Sequence, residues 1–137
     1  MHVQPYLNFD GHCDEAIEFY KKALGAKVEM LMRYKDCPEG ECASQFPPEM
    51  GTKVMHSTLR IGDSVMNASD GRCQGKTTVS GISLSLGVDD DAEAERVFAA
   101  LGEGGKVGMP MGKTFFSSRF GMVTDRFGIM WMVLVQK

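Results

Sequence analysis

Apolar and polar residues alternate along residues 3–9, and this period of two is typical of a half-buried β-strand. Pro5 has no N–H to donate to a sheet, so it has to lie where no ladder bond is needed. From residue 14 the apolar positions recur at helical spacing up to Gly25, which ends the predicted helix, and Asp14 is its predicted N-cap. The strand places Val3, Pro5, Leu7 and Phe9 on one side and Gln4, Tyr6 and Asn8 on the other.

Three strands and a loop are predicted for the rest of the first half. Residues 27–35 alternate again, and residues 54–61 and 64–68 form a predicted hairpin around the turn at Gly62. Between them, residues 36–52 are polar and contain three prolines, which predicts a long surface loop. Loops of this length in a compact domain are often lids or variable insertions.

The second half repeats this plan. Residues 80–88 alternate, and the acidic residues 89–91 offer an N-cap to a helical stripe of apolar residues that ends near Gly102. Three further strands are predicted, over residues 106–111, 115–123 and 129–135.

The two predicted helices are variants of one another, which indicates an internal repeat. The sequences EAIEFY (15–20) and EAERVF (93–98) are each followed by Leu-Gly and then a lysine. Because the element order is β-α-β-β-β twice, the predicted fold class is α+β, with two βαβββ modules, a curved mixed sheet and one helix per module. We predict a single domain with modules at 1–70 and 79–137 and a linker at 71–78. The crevice between two curling half-sheets is a natural ligand site.

Composition disfavours several classes of function. The 137 residues carry a net charge of -3 and no basic run, which disfavours nucleic-acid binding by phosphate neutralisation. No apolar run approaches the ~20 residues of a membrane helix, and the N-terminus lacks a signal-peptide pattern, so a cytoplasmic location is expected. Hydrophobic residues make up 43% of the chain, which is enough for a globular core.

The sulfur-containing residues suggest no metal or disulfide framework. The four cysteines, at positions 13, 37, 42 and 73, form no C-x-x-C pair and lack zinc-finger spacing, so reduced thiols are predicted. The eleven methionines are more unusual. Methionine either fills irregular gaps in a core or forms a pliable binding surface, and the core role is favoured here.

Two Gly-Lys-Thr segments, at residues 71–77 and 108–114, have some similarity to phosphate-binding loops. Such a loop needs four residues between its glycines and a helix directly after it, so that backbone amides converge on the phosphate. Both segments have three residues between their glycines, and neither precedes a helical pattern. Nucleotide binding is therefore not assigned.

The remaining polar residues do not identify a catalytic group. No serine lies in a nucleophile elbow, so a Ser-His-Asp triad is not indicated. His56 lies on a predicted strand, and a single histidine is more often structural than a base. The acidic residues 89–91 lack the spaced ligands of a calcium loop. Segment 125–128 favours a tight turn over substrate binding, and Trp131 is predicted to lie in the core.

Several motifs together resemble one family. They are PYLNF at 5–9, AIEFY at 16–20 followed by Leu24 and Gly25, and FGMVTDRFG at 120–128 followed by Trp131 and Met132. These resemble the PhnB-like branch of the vicinal oxygen chelate superfamily, which includes glyoxalase I, extradiol dioxygenases and the bleomycin and fosfomycin resistance proteins. The resemblance implies a cup-shaped sheet around a cavity, and a homodimer.

The resemblance also implies where a metal would bind. Metal-using members hold a divalent ion with His, Gln or Glu from four strands, and these positions fall here on Gln4, Asn67, Gly81 and Met132. Hard divalent ions prefer carboxylates, carbonyls and imidazoles, which a bare backbone and a thioether do not supply. The metal site is therefore predicted to be degenerate, and no cofactor is expected.

Three functions remain open. The leading one is binding of a small, mostly apolar molecule without metal, as a homodimer. The second is a metal-dependent lyase, isomerase or dioxygenase acting on a small vicinal-oxygen substrate, and the third is an interaction module in which the dimer is the purpose. Members of this branch are sometimes labelled ubiquinone-pathway methyltransferases, but no Gly-rich strand-to-helix turn suited to a nucleotide-like cofactor is present. The candidate cavity residues are Tyr6, Asn8, His56, Asn67, Ser83, Phe116 and Met132.

Overall fold

The computed structural model describes residues 1–37, 48–71 and 78–136. The chain divides into two compact units, Met1–Thr77 and Thr78–Lys137. Each unit has one α-helix and one four-stranded sheet. The predicted α+β class with two βαβββ modules is therefore confirmed. No helix among the described residues is long and apolar enough to cross a membrane.

The first unit is a mixed sheet with one helix on one side. The strand order is β1-β4-β3-β2, with β1 parallel to β4 and the other neighbours antiparallel. A 3-10 turn, Tyr34–Asp36, follows β2. The elements are β1 (Tyr6–Asn8), α1 (Cys13–Leu24), β2 (Lys27–Arg33), β3 (Val54–Ile61) and β4 (Ser64–Ser69).

The apolar stripe of α1 forms the core of this unit, as its spacing predicts. Ala16, Ile17 and Tyr20 are buried, and so are Leu59 and Met66 on the strands. Each large apolar side chain removed from water in this way contributes about 1.5–3 kcal/mol. Because side chains alternate along a strand, the residues between these buried positions lie on the opposite side of the sheet.

The start of α1 is capped from a distance, not by its own sequence. The prediction that Asp14 is the N-cap is wrong: the N-cap is His12, whose side chain makes no capping bond. The fully buried Asp70, just after β4, instead accepts hydrogen bonds from the backbone N–H groups of Gly11 and Cys13 at 2.9 and 2.8 Å. Asp14 lies in the first turn, where both its carboxylate oxygens bind Arg33 at 2.9 Å.

The second unit repeats the arrangement, with strand order β5-β8-β7-β6 and β5 parallel to β8. Its helix is capped as predicted, because Asp90 accepts a hydrogen bond from the Glu93 N–H at 2.8 Å. The elements are β5 (Leu84–Val88), α2 (Asp91–Gly102), β6 (Lys106–Gly112), β7 (Phe120–Thr124) and β8 (Met130–Val135).

The predicted roles of Trp131 and of segment 125–128 are confirmed. Trp131 is buried and donates its indole N–H to Asp125 at 3.0 Å. The other carboxylate oxygen of Asp125 accepts from the N–H groups of Phe127 and Ile129, at 2.9 and 3.1 Å, and closes the turn. Asp125 therefore stabilises the β7–β8 connection.

The strand predicted over residues 115–123 begins later, at Phe120. The Thr114 hydroxyl oxygen accepts hydrogen bonds from the backbone N–H groups of Phe116 and Ser117, at 3.3 and 3.1 Å, which folds this stretch into a turn. Phe115 is consequently fully exposed. The alternation that predicted a strand here was wrong because local side chain-to-backbone bonds compete with sheet pairing.

The cysteines differ in state. Cys13 is free and buried, whereas Cys37 is disulfide-bonded, contrary to the prediction of reduced thiols. Cys42 and Cys73 lie outside the described residues, together with most of the predicted 36–52 loop and of the 71–78 linker. Segment 108–114 forms β6 and the residues after it, with no helix following, so it is not a phosphate-binding loop.

Replacing Asp70 with Asn should lower the free energy of unfolding by about 3 kcal/mol, because backbone N–H groups would lose a charged acceptor in a buried site. One carboxylate oxygen of Asp70 binds Gly11 and Cys13, and the other binds the Val54 N–H at 2.8 Å. Urea denaturation measures the loss. Asp63→Asn, at the exposed hairpin turn, is the control and should change stability by less than about 0.5 kcal/mol; equal effects would contradict a special role for Asp70.

Cys13 should make the protein less stable at alkaline pH. Burial, and then the nearby Asp70 carboxylate, raise the pKa of its thiol from 9.0 to about 12. The unfolded chain therefore releases this proton first, and stability falls between about pH 9 and 12 at up to ~1.4 kcal/mol per pH unit. Chemical denaturation across this range should show that the free energy of unfolding falls less steeply with pH in Cys13→Ala. Parallel pH profiles for the two proteins would show that the thiol contributes nothing to this fall.

Candidate functional site

Predicted site residues of the first unit gather on the side of the first sheet that faces away from α1. We call this side the first face. Strand register places Tyr6 beside Asn67, Asn67 beside Thr58, and Thr58 beside Met30 in one row across four strands. A second row continues the same face with Asn8, His56 and Met32.

Tyr6 and His56 form a hydrogen-bonded pair on the first face. The Tyr6 hydroxyl lies 3.1 Å from His56 Nδ1, and the two rings are tilted at 41° with centroids 5.5 Å apart. Tyr6 remains 52% exposed, so the pair can be reached from solvent. When the hydroxyl donates to Nδ1, the imidazole carries its proton on Nε2 and presents a donor to a ligand.

Three polar side chains form a second chain of hydrogen bonds. The Thr58 hydroxyl donates to Asn67 Oδ1 at 3.0 Å, and Asn67 Nδ2 donates to Gln4 Oε1 at 3.3 Å. Both amide oxygens are therefore occupied as acceptors. The chain couples the orientations of the two amides, because reversing Asn67 alone would bring its carbonyl oxygen against that of Gln4, and two acceptors cannot form a hydrogen bond.

The edges of the first face are also held in place. Asn8 Oδ1 accepts from the Asp10 N–H at 3.0 Å, and its amide packs so closely on Gly71 that a Cβ there would lie 2.4 Å from Nδ2. At the other end, Arg60 Nε donates to Glu29 at 2.8 Å. Hydrogen bonding to Arg60 lowers the pKa of Glu29, so this ion pair is formed at neutral pH.

The remaining candidates belong to the second unit. Ser83 precedes β5, and Met132 in β8 pairs with Ser85 and Met122 on the side of the second sheet away from α2. Phe116 lies in the turn before β7, edge-on to Phe120 with ring centroids 5.2 Å apart. Phe116 is thus a turn residue and not part of a strand.

The donor groups do not fit a hard divalent ion at the positions that the family implies. In the first unit, Gln4 and Asn67 hold each other by a hydrogen bond. In the second unit, Met132 offers only a thioether and Gly81 has no side chain. The sheet register makes Ser83 the counterpart of Gln4, because Ser83 lies two residues before Ser85 as Gln4 lies two residues before Tyr6. Among the described residues, no group of three His, Cys, Asp or Glu could hold a metal.

Sequence reasoning missed the role of Thr58, although a signal was present. Thr58 alternates with His56 and therefore has to share its face. The pairing of Tyr6 with His56 carries no such signal, since it depends on the register of β1 against β4 and of β4 against β3.

Comparison with known proteins gives the family. A family model described as 3-demethylubiquinone-9 3-methyltransferase matches residues 1–134. The chain belongs to this family. Protein YjdN of Escherichia coli strain K12 is 36% identical over 145 residues, covering 100% of this chain and 97% of the relative.

Solved structures agree with the fold. Protein PA1353 from Pseudomonas aeruginosa is 42% identical, with a TM-score of 0.85, over 99% of this chain and 98% of that one. A PhnB protein from Bacillus cereus has 23% identity and a TM-score of 0.79, over 98% and 99% of the two chains, and shows the fold alone. A glyoxylase/bleomycin resistance protein/dioxygenase domain from Frankia and the fosfomycin resistance protein FosX from Mesorhizobium loti share this fold. Together with the family model that matches residues 1–134, this confirms the family resemblance stated from the sequence motifs.

Hard divalent ions should not bind saturably at Gln4 and Asn67. Titrating Mn²⁺ into ¹⁵N-labelled protein should leave the two side-chain NH₂ signals without specific broadening up to millimolar concentrations. The double variant Gln4→Glu with Asn67→Asp should gain a saturable site, because it places two hard carboxylates within reach of each other. Saturable binding by the unaltered protein that Asn67→Ala removes would contradict the expectation.

Proposed function

We propose that this protein binds a small organic molecule without a metal, and that the first face is the binding site. One observation carries the proposal: two hydrogen-bonded pairs, Tyr6 with His56 and Asn67 with Gln4, lie on one accessible surface with Met30 and Met32. Small-molecule sites typically combine an apolar lining with a few oriented polar groups. These groups are held in place before any ligand arrives.

The chemistry of the first face favours an uncharged, largely apolar ligand with a carbonyl or hydroxyl group. Arg60 is engaged by Glu29 and is not presented as an anion receptor. The Tyr6–His56 pair can donate to or accept from one polar atom, while Met30 and Met32 adapt to an apolar body. Such a ligand would leave none of these polar groups unpaired.

Other parts of the proposal rest on the family resemblance. Ser83, Phe116 and Met132 are proposed as ligand contacts within the second unit. Homodimer formation and a cytoplasmic location are proposed on the same basis. Methyl transfer is not included, because the two mixed sheets differ from the doubly wound parallel sheet and glycine-rich turn that bind nucleotide-like cofactors.

A second candidate function is a metal-dependent lyase, isomerase or dioxygenase acting on a small vicinal-oxygen substrate. The observation in its favour is that Gln4 and His56 lie on one face of a sheet with the glyoxalase-type fold. It would need further ligands from groups other than those at the positions that the family implies. Metal analysis of purified protein, with activity measured before and after chelation, distinguishes this candidate from metal-free binding.

Ligand binding should depend on His56 and not on His12. The probes are uncharged compounds that join a carbonyl or hydroxyl group to an apolar body, screened by NMR. For a compound that binds, His56→Ala should weaken affinity at least tenfold, about 1.4 kcal/mol, and Tyr6→Phe should weaken it by less. His12→Ala is the matched control, because His12 is exposed and contacts Glu15 on α1.

The screen can contradict the proposal in two ways. Either no compound perturbs the signals of Tyr6, Asn8, His56 and Asn67, or a compound binds equally well to the His56 and His12 variants. Circular dichroism of each variant verifies that lost affinity does not reflect lost folding.

A further inference from the structure

Three methionines stand side by side across the second sheet. Met122 on β7 is the register partner of Met132 on β8 and also of Met109 on β6. All three lie on the side away from α2, since their neighbours Trp131 and Val123 are the buried ones. We call this set, Met109, Met122 and Met132, the methionine row.

The register places the three methionines on three adjacent strands, so each sulfur atom has a methionine on the neighbouring strand. Directly opposed residues on adjacent strands have Cβ atoms ~4.5–5.5 Å apart. Methionine has three rotatable side-chain bonds, so Met109 and Met132 can lean towards the central Met122. Met130 adds a fourth thioether on the same face, two residues before Met132.

The row is accessible, which distinguishes it from a core filler. Met109 is 45% exposed, and Met122 and Met132 are half-buried. The equivalent row of the first unit consists of Tyr6, Asn67, Thr58 and Met30 and has a single thioether. The clustering of sulfur is therefore a property of the second unit and not of the repeated fold.

We propose that the methionine row is a binding site for a soft monovalent cation, Cu⁺ or its redox-inert analogue Ag⁺. Thioether sulfur is a soft, polarizable donor, and soft donors select Cu(I) over hard divalent ions. Ser85 and Thr124, the polar register neighbours of Met132 and Met130, supply neither a carboxylate nor an imidazole that would favour a hard ion. This site lies within the second unit and uses no residue of the first face.

Ag⁺ titration tests the proposal without a reductant. The full chain is labelled with ¹³C at the methionine methyl groups and treated with iodoacetamide, which caps accessible thiols that would compete for silver. About one equivalent of Ag⁺ should shift the methyl signals of Met109, Met122 and Met132 together. Met122→Leu, which conserves volume and removes the central sulfur, should weaken binding at least tenfold.

Met30→Leu is the matched control, because Met30 occupies the equivalent row of the first unit and its replacement should not change Ag⁺ affinity. The proposal is overturned if silver shifts none of the three methyl signals, if the shifts appear only at millimolar Ag⁺, or if Met122→Leu and Met30→Leu bind alike. Unchanged circular dichroism of the leucine variants verifies their folding. X-ray absorption of the Cu⁺ complex should show sulfur ligands only; nitrogen or oxygen ligands would also overturn the proposal.

Discussion

The buried carboxylate of Asp70 connects three parts of the first unit that are far apart in sequence. It accepts backbone hydrogen bonds from Gly11, before α1, from Cys13, at the start of α1, and from Val54, at the start of β3. A buried charge persists only when its hydrogen-bonding capacity is filled, so the carboxylate requires all of these backbone groups to be in place. Since β3 carries His56 and β1 leads into α1, the same interaction sets the positions of the candidate site residues.

On the first face, side-chain hydrogen bonds join residues at positions where the family resemblance predicts metal ligands. At two of the positions that the family implies, Gln4 and Asn67 satisfy each other and Thr58. Polar groups that are shielded from water need hydrogen-bond partners, and this chain of side chains provides them without an ion. These groups are oriented and carry no formal charge, which would suit the uncharged ligand proposed for this face.

The elements with strong periodicity could be predicted from the sequence. The α1 and α2 stripes, the Gly25 stop, the Asp90 cap and the hairpin around Gly62 all lie as predicted, because each depends on residues close together in the chain. The cap of α1 could not be predicted, since it comes from Asp70, 57 residues away from Cys13. The contact between Tyr6 and His56 was missed for the same reason: it depends on register across three strands.

The strands that carry the candidate site differ in how readily they separate from the sheet. His56 and Thr58 belong to an eight-residue strand paired on both sides, whereas Tyr6 belongs to a three-residue strand at the sheet's edge. Short edge strands separate from a sheet at a small fraction of the free energy needed to unfold a core. A ligand that contacts Tyr6 would therefore also stabilise the pairing of β1 with β4.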